Sequence, residues 1–411
     1  MKVAVPNEVP LRATAGTEAC PTMNGQPAST NFLALLTLSC FPSLFPMLLS
    51  RLDRTARWMK RGGREGDVVL SSRVRLARNF ARFPFPHRAS ASELLFVRER
   101  VLSALEEAAP SAPDSLLVLP LEDFSPLERR SLVDRHLSSR EHIRDEVGRA
   151  LVTTSDGAFS VLINEEDHLR LGAVLPGLQL DAALQMCDAV DDALEEFFDG
   201  KSAYAFDTDF GFLTACPTNA GTGLRASAML HLPALSLLEE LDMAREWASE
   251  HGFVLRGTTG EGSNVAGHIE QLSNQSTLGQ DEGDIALEIE NAARELVTRE
   301  REARARLVEE MPLETRDLVG RAYGILRFAR RVSGEEATQA LSLLRLGHEL
   351  GWMKGLSRQR FNELSVWMRP DYLGVLHSRE LSREERAILR ADLLRVHVSK
   401  VKLENGFEQL T

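Results

Sequence analysis

The chain has 411 residues, enough for two domains, and is 43% hydrophobic, so it can bury sizeable cores. Its formal net charge of −12 excludes general nucleic-acid binding, which needs a basic surface to replace phosphate counterions. The four cysteines, Cys20, Cys40, Cys187 and Cys216, include no CxxC pair, so neither a disulfide framework nor a zinc site is expected, and a reducing cytoplasmic setting is the default.

Residues 1–31 are rich in Pro, Thr and Ala without periodicity, which predicts disorder. NFLALLTLSCFPSLFPMLLS (31–50) is apolar like a secretory h-region or short membrane span, but Pro42 and Pro46 interrupt it and no A-x-A site follows. From Trp58 the character changes. DVVLSSRVRLARN (67–79) alternates around two arginines as a strand end or loop does, and ASELLFVRERVLSALEEA (91–108) has helical spacing. LVLPL (117–121) and FSVLI (159–163) read as strands. LDAALQMCDAVDDALEEFF (180–198) predicts an amphipathic helix with Cys187 on its buried face. Residues 211–235 predict a strand, a Gly-rich turn, then a strand or helix; residues 252–275 predict strand, glycine loop, strand. A long helix begins near Asp281–Glu282, whose acids suit the helix dipole, with Ile285, Ile289, Ala292, Ala293 and Leu296 on one face. From about 315 the chain reads as all-helical, with capping boxes at Ser333–Glu336 and Ser382–Glu385 and with Gly347, Gly351 and Gly355 at helix ends. No internal repeat or coiled coil is visible.

Four stretches share one design, an arginine beside small or polar residues after an apolar run: SSRVR (71–75), NEEDHLR (164–170), GTGLRAS (221–227) and RGTTGEG (256–262). They supply Arg73, Arg75, Arg170, Arg225 and Arg256. One such arginine is most often a surface ion pair. Five at strand ends, beside glycines that let backbone approach a ligand, point to a polyanion such as a nucleoside triphosphate. The usual phosphate grips are missing. GKS stands at 200–202, but Glu195 occupies the place of a P-loop's first glycine, and neither a GxGxxG fingerprint nor a kinase HRD or DFG set occurs. Guanidinium side chains would therefore hold the phosphates. Phosphate repels carboxylates, so Glu165, Glu166, Asp167 and Glu261 beside these arginines suit a second, cationic substrate; simple charge balance is the competing reading. Two glutamates can clamp a guanidinium and accept its proton.

These segments resemble the ATP:guanido phosphotransferases, and within them the bacterial branch that phosphorylates arginine side chains of proteins. RWMKRGGREGDVVLSSRVRLARN (57–79), LVDRHLSS (132–139), VLPGLQL (174–180), SAMLHLPAL (227–235), GEGSNVAGHIEQLSNQSTLG (260–279), RAYGILRFARRV (321–332) and LLRLGHELGWMKG (343–355) carry the likeness, which spans about 57–405. The resemblance implies an α+β fold: a catalytic domain with an antiparallel sheet flanked by helices, here 47–312, then an all-helical C-terminal domain, 315–405. It implies in-line transfer of the γ-phosphoryl group of MgATP to a guanidinium nitrogen, with Mg2+ held through phosphates and water and no protein metal ligand. Arg73, Arg75, Arg170, Arg225 and Arg256 then bind phosphates. The nucleotide-binding stretches are Ser71, Ser72, Arg73, Val74 and Arg75; Arg225, Ala226, Ser227, Ala228 and Met229; and Arg256, Gly257, Thr258, Thr259, Gly260 and Glu261, with His136 a further contact. Glu166 and Glu261 orient the acceptor guanidinium, Glu166 as the base. Cys216 matches the active-site cysteine, against the plainer reading of a small packed thiol.

Small-substrate members begin with a separate helical domain and end soon after the catalytic one; this chain lacks the first and adds 315–405, which favours a protein substrate. The branch's phosphoarginine-sensing motif, Arg-Asp-x-x-Arg-Ala, matches Arg386 to Ala391 with Ala387 in place of the aspartate, which puts sensing through Arg386 and Arg390 in doubt. The resemblance also implies a homodimer, a zinc-binding activator protein, an AAA+ protease that consumes the marked clients, a role in stress response, a cytoplasmic location and no membrane association. Family members begin about where Met47 stands, eleven residues before Trp58, so residues 1–46 are expected to be an over-extended gene start.

Overall fold

SSRVR lies neither at a strand end nor in a loop. It is the middle of β1 (Val69–Arg78), an inner strand of an eight-stranded antiparallel sheet. The further strands are β2 (Leu116–Pro120), β3 (Ala150–Thr154), β4 (Phe159–Ile163), β5 (Leu169–Pro176), β6 (Phe206–Asp207), β7 (Gly211–Phe212), β8 (Leu224–His231), β9 (Phe253–Gly257), β10 (Ile269–Asn274), β11 (Met353–Lys354) and β12 (Lys402–Leu403). The large sheet runs β2-β3-β4-β5-β1-β8-β10-β9; β6 pairs with β7 and β11 with β12. This computed structural model describes residues 50–60, 63–107, 115–198, 203–257, 267–404 and 407. The expectations for residues 1–46, for Gly200, Lys201 and Ser202, and for the connection at 258–266 fall outside these. Leu44–Thr411 is one compact unit.

Strand alternation decides the two faces of the sheet. On one face Val74, Leu76, Val161, Leu171, Ala226, Ala228 and Leu272 are buried in the main core. That face is covered by α1 (Ala91–Glu107), α3 (Leu180–Phe197) and α6 (Glu282–Glu310). Helix α3 buries Leu180, Ala183, Leu184, Cys187, Val190 and Leu194, the i, i+3, i+4 stripe its sequence predicts. Each fully buried Leu or Val of this stripe contributes roughly 1.5–3 kcal/mol over exposure. Helix α6 starts where expected: Asp281 accepts from Gly283 N, and Ile285, Ile289, Ala292, Ala293 and Leu296 are buried. The opposite face carries a smaller core at the β2–β4 side, where Leu119, Leu151 and Leu162 meet Leu132 of α2 (Pro126–Asp134).

Residues 211–235 resolve into β7, β8 and the short helix α4 (Pro233–Leu237), followed by α5 (Leu241–Glu250). The C-terminal region forms α7 (Pro312–Phe328), α8 (Gly334–Glu349), α9 (Arg358–Trp367), α10 (Pro370–Leu376) and α11 (Arg383–Val398). Ser382 makes the full capping box with Glu385, whereas Ser333 caps α8 through Glu336 N without the reciprocal bond. Gly351 follows α8 at φ 75 as expected, but Gly347 lies inside that helix, where a Cβ would stand 2.6 Å from Val319 Cγ1. Helix α10 rests on α2, and Arg130 reaches Asp371 at 2.9 Å.

Several histidines are buried neutral. His142 bonds Ser138 Oγ at 2.9 Å and Ile163 O at 3.2 Å, and burial lowers its pKa from 6.5 to about 3. The unfolded chain therefore binds more protons at this site between pH 6.5 and 3, so its contribution to stability is lost as pH falls through that window. In urea titrations, the stability advantage of the native chain over His142→Gln should shrink from pH 7 to pH 4, other titrating groups cancelling in the difference. A pH-independent difference contradicts this.

Candidate active site

Residues directly opposite in a ladder point to the same side of a sheet. Arg75 stands opposite Arg225 on β8 and Gly172 on β5; Ala77 stands opposite Arg170, and Arg73 opposite Ser227. Ser71 faces Met229, Met229 faces Gln271, and Gln271 faces Arg256. Arg73, Arg75, Arg170, Arg225 and Arg256 thus share one face with Ser71, Ser227 and Met229. The expectation of strand ends holds for Arg170, Arg225 and Arg256, each one residue from an end of β5, β8 or β9, and is corrected for Arg73 and Arg75, which are mid-strand; register across β5, β1, β8, β10 and β9 assembles the set. Ser72, Val74, Ala226 and Ala228 point the other way, into the core. Ser72 Oγ donates to Gly177 O and accepts from Gln179 N, both at 2.9 Å. Those four could meet a ligand on the arginine face only through backbone. Gly257 ends β9, and Thr258, Thr259, Gly260 and Glu261 lie outside the described residues.

Most of the positive charge on the arginine face is not ion-paired, although Glu165 partly offsets Arg73 and Arg75. Arg73, Arg75, Arg225 and Arg256 form no ion pair with a carboxylate among the described residues, and the buried Nε atoms of Arg73, Arg75 and Arg225 have no hydrogen-bond partner. The neighbouring Arg73 charge, then burial and Arg225, push the Arg75 guanidinium well below its ordinary pKa. Burial followed by the Arg256 charge lowers that of Arg225. Cations forced together in this way, at the cost of mutual repulsion, make a site for a polyanion. Arg170 differs, being tied to Glu165, to Glu166 at 2.5 Å and to Asp167 at 3.1 Å.

The acidic turn between β4 and β5 divides its labour. Glu165 is buried and also takes the Ser139 hydroxyl. Asp167, fully buried, accepts from Asn79 Nδ2 and from Ala215 N, both at 2.7 Å, so it braces the segment that carries Cys216. His168 Nδ1 accepts from Phe80 N and its Nε2 donates to Pro84 O; burial lowers its pKa to about 4, consistent with a neutral bracing ring. Glu166 alone of the four keeps an exposed side chain, 45% accessible. It faces a cavity of about 210 Å3 lined with Arg75, Arg170, Arg225, Cys216 and Asn219. Gly223, at φ 68, also lines this cavity, and a Cβ there would stand 2.6 Å from Ala77 O, so the close approach of this segment to β1 requires glycine.

His136 lies at the rim of the arginine face. Its ring meets Trp58 edge-on at 5.6 Å, and burial with the charges of Arg369 and Arg73 holds it neutral. Arg390 is buried, with Nε donating to Met368 O at 2.9 Å and Nη1 to Val332 O at 3.0 Å, while Arg386, one turn earlier on the same helix, stays half-exposed; burial and the Arg386 charge lower the Arg390 pKa. Sequence reasoning missed Asn79, Ser139 and Arg369. Each is a single polar residue with no spacing signal, and only the tertiary fold brings it to the site. It also missed Arg78, which anchors the neighbouring segment through Thr222 O at 2.8 Å.

Comparisons with known proteins agree with this architecture. Residues 96–303 match the family model for the ATP:guanido phosphotransferase C-terminal catalytic domain, and residues 312–409 that for the protein-arginine kinase McsB C-terminal domain. The protein-arginine kinase of Symbiobacterium thermophilum is 43% identical over 357 residues, covering 86% of this chain and 98% of that protein. That of Halalkalibacterium halodurans is 41% identical over 348 residues, covering 85% and 96%. In fold, the chain resembles the crystal structure of lombricine kinase, with a TM-score of 0.51 at 24% identity over 64% of this chain and 72% of that one. The sheet with its arginine face, the acidic turn and the matched models together establish that this chain belongs to the ATP:guanido phosphotransferase family.

Proposed function

We infer that the chain is a protein-arginine kinase, transferring the γ-phosphoryl group of ATP to arginine side chains of proteins. The observation that carries this reading is the presence in one cavity of Arg75 and Arg225, which no carboxylate among the described residues pairs, with the exposed carboxylate of Glu166. The relatives named as protein-arginine kinases, matched over nearly their whole length, support the protein acceptor. Arg73, Arg75, Arg225 and Arg256 hold the phosphates, and Arg170 joins them. Mg2+ on the phosphate oxygens would supply further charge neutralisation. Glu166 aligns the incoming guanidinium and takes its proton, with Glu261 as the second clamp and Cys216 beside it. A guanidinium loses a proton only above pH ~12, so a carboxylate must accept it as the N–P bond forms. Residues 47–312 are the catalytic domain and 315–405 a helical domain, a division supported by the two family models. The activity belongs in the cytoplasm, where ATP and a reduced Cys216 thiol coexist; among the described residues no helix is long and apolar enough to cross a membrane. Marking of clients for an AAA+ protease under stress, a homodimer and a zinc-binding activator extend the reading on the family resemblance.

Incubation with MgATP and either casein or free arginine tests it. Acid-labile phosphate should appear on protein. Label on free arginine alone would make the chain a small-guanidine kinase, and no label at all would leave a non-catalytic adaptor. Arg75→Met should weaken nucleotide binding by about tenfold to a hundredfold, since hydrogen bonds to charged groups contribute roughly 1.5–3 kcal/mol. Arg75→Lys should recover little of it, lacking the planar fork. Fluorescent-nucleotide titration checks both.

A further inference from the structure

The β6–β7 hairpin carries apolar surface out into solvent. Its tip reads Phe206, Asp207, Thr208, Asp209, Phe210, and the two phenylalanines are 55% and 58% exposed. Asp207 Oδ1 accepts from Asp209 N at 2.8 Å and from Phe210 N at 3.2 Å, so the turn that presents them is held in one shape. Exposed Leu278 belongs to the same surface. A Cβ on Gly211 would stand 2.8 Å from Gly221 Cα, and one on Gly221 would stand 3.1 Å from Leu278 Cα, so these three backbones are packed together. The hairpin is joined to the cavity that Glu166 faces in two ways. Phe212 and Gly221 pair, with Phe212 N donating to Gly221 O at 2.8 Å and Gly221 N to Phe212 O at 3.2 Å; Gly221 lies between Asn219 and Gly223, which both line the cavity. Along the chain, Leu213 to Ala215 lead straight to Cys216, with Leu213 O accepting from Asn79 and Ala215 N donating to Asp167. Cys216 follows Phe210 by six positions, so the tip stands at most about 22 Å from it.

We propose that this hairpin tip, with Leu278, docks the acceptor polypeptide, binding basic residues up to about six positions away from the arginine that is phosphorylated. Charge and ring chemistry select that occupant. Aromatic faces attract cations, and here two of them flank the carboxylates of Asp207 and exposed Asp209. Phe212 of the same hairpin already packs the Arg78 guanidinium against its ring at 3.8 Å. The inference rests on the protein-arginine kinase reading and supplies what that reading lacks, a surface that distinguishes a polypeptide from a small guanidine. The reacting groups in the cavity are the same for both acceptors. Only an extended chain with flanking cations also reaches the tip.

The test is steady-state phosphorylation by the full chain of two acceptors at saturating MgATP: a blocked Ala-Arg-Ala tripeptide, and a fifteen-residue peptide with one central arginine among lysines. Wild type should favour the long peptide in kcat/KM by about tenfold or more. Phe206→Ser combined with Phe210→Ser should remove most of that preference, with the constants for the tripeptide and for MgATP within about twofold of wild type. Asp209→Asn should lower the preference by about threefold. These side chains are exposed, so the variants should fold, which circular dichroism checks. Absence of a preference in wild type, a preference kept in the double variant, or an equal loss toward the tripeptide overturns the proposal. A double variant that keeps the preference but sediments as a smaller species than wild type overturns it too, and makes the patch a contact between copies of the chain. If wild type labels both peptides equally, the kinase reading stands and only this inference fails. If it labels no arginine acceptor, the kinase reading fails and this inference with it.

Discussion

Glu166→Gln should lower kcat for arginine phosphorylation by roughly 10²–10⁴ while leaving MgATP affinity nearly unchanged. The substitution keeps shape and hydrogen-bonding capacity but removes the basic oxygen that, on the proposed assignment, takes the guanidinium proton. Arg170 would not be released by it, since Glu165 and Asp167 still hold its guanidinium. Nor would the turn collapse, because the bracing bonds to Asn79, Ala215 and Phe80 come from Asp167 and His168. Single-turnover phosphorylation with saturating nucleotide, beside a nucleotide-binding titration, separates the two effects. Full activity in the variant would remove Glu166 as base and leave charge balance as its role.

The second large effect is on stability. Arg78 is 2% exposed, donates to Asp191 at 2.8 Å and Glu282 at 3.1 Å, and stacks on Phe212 at 3.8 Å. Burial opposes its charge, but Asp191 and Glu282 outweigh that and raise its pKa. Removing one partner of a buried ionic network leaves uncompensated charge, at a cost of about 3–5 kcal/mol. Arg78→Met should lose about that much in guanidinium chloride unfolding, and Arg78→Met with Asp191→Asn should lose less than the single variant. A loss below about 1 kcal/mol would show that the network contributes little beyond packing. Because Arg78 also holds Thr222 O, the segment flanking Cys216 should loosen as well, seen as faster hydrogen exchange at 213–222.

Much of the secondary structure was legible because burial imposes a period. FSVLI became β4 at the residues expected, and the stripes of α3 and α6 are buried as their spacing requires. SSRVR misled because its alternation carries Ser71, Arg73 and Arg75 on one side and Ser72 and Val74 on the other, the pattern of a strand with one polar face, and nothing local distinguishes a strand's end from its middle. The choice of strand or helix after GTGLR was likewise not local: Leu224–His231 is a strand because β1 and β10 pair on both its sides.

The acidic turn and the five arginines were readable as chemistry from residue type and neighbouring sequence, since each kind of side chain admits few uses beside glycines and buried runs, whereas Cys216 was singled out only by the family resemblance. The division of labour within the turn was not readable. Glu165, Glu166 and Asp167 are adjacent in sequence and chemically alike, yet only Glu166 reaches the cavity, because the fold encloses its neighbours against Ser139, Asn79 and Ala215. The arginines come from segments up to 183 positions apart, Arg73 to Arg256, and meet because antiparallel register aligns their side chains on one face. Composition and spacing determined which groups the chain offers to its substrates. Which of them face the same space depended on strand pairing and burial between distant segments, and those energies exist only in the folded chain.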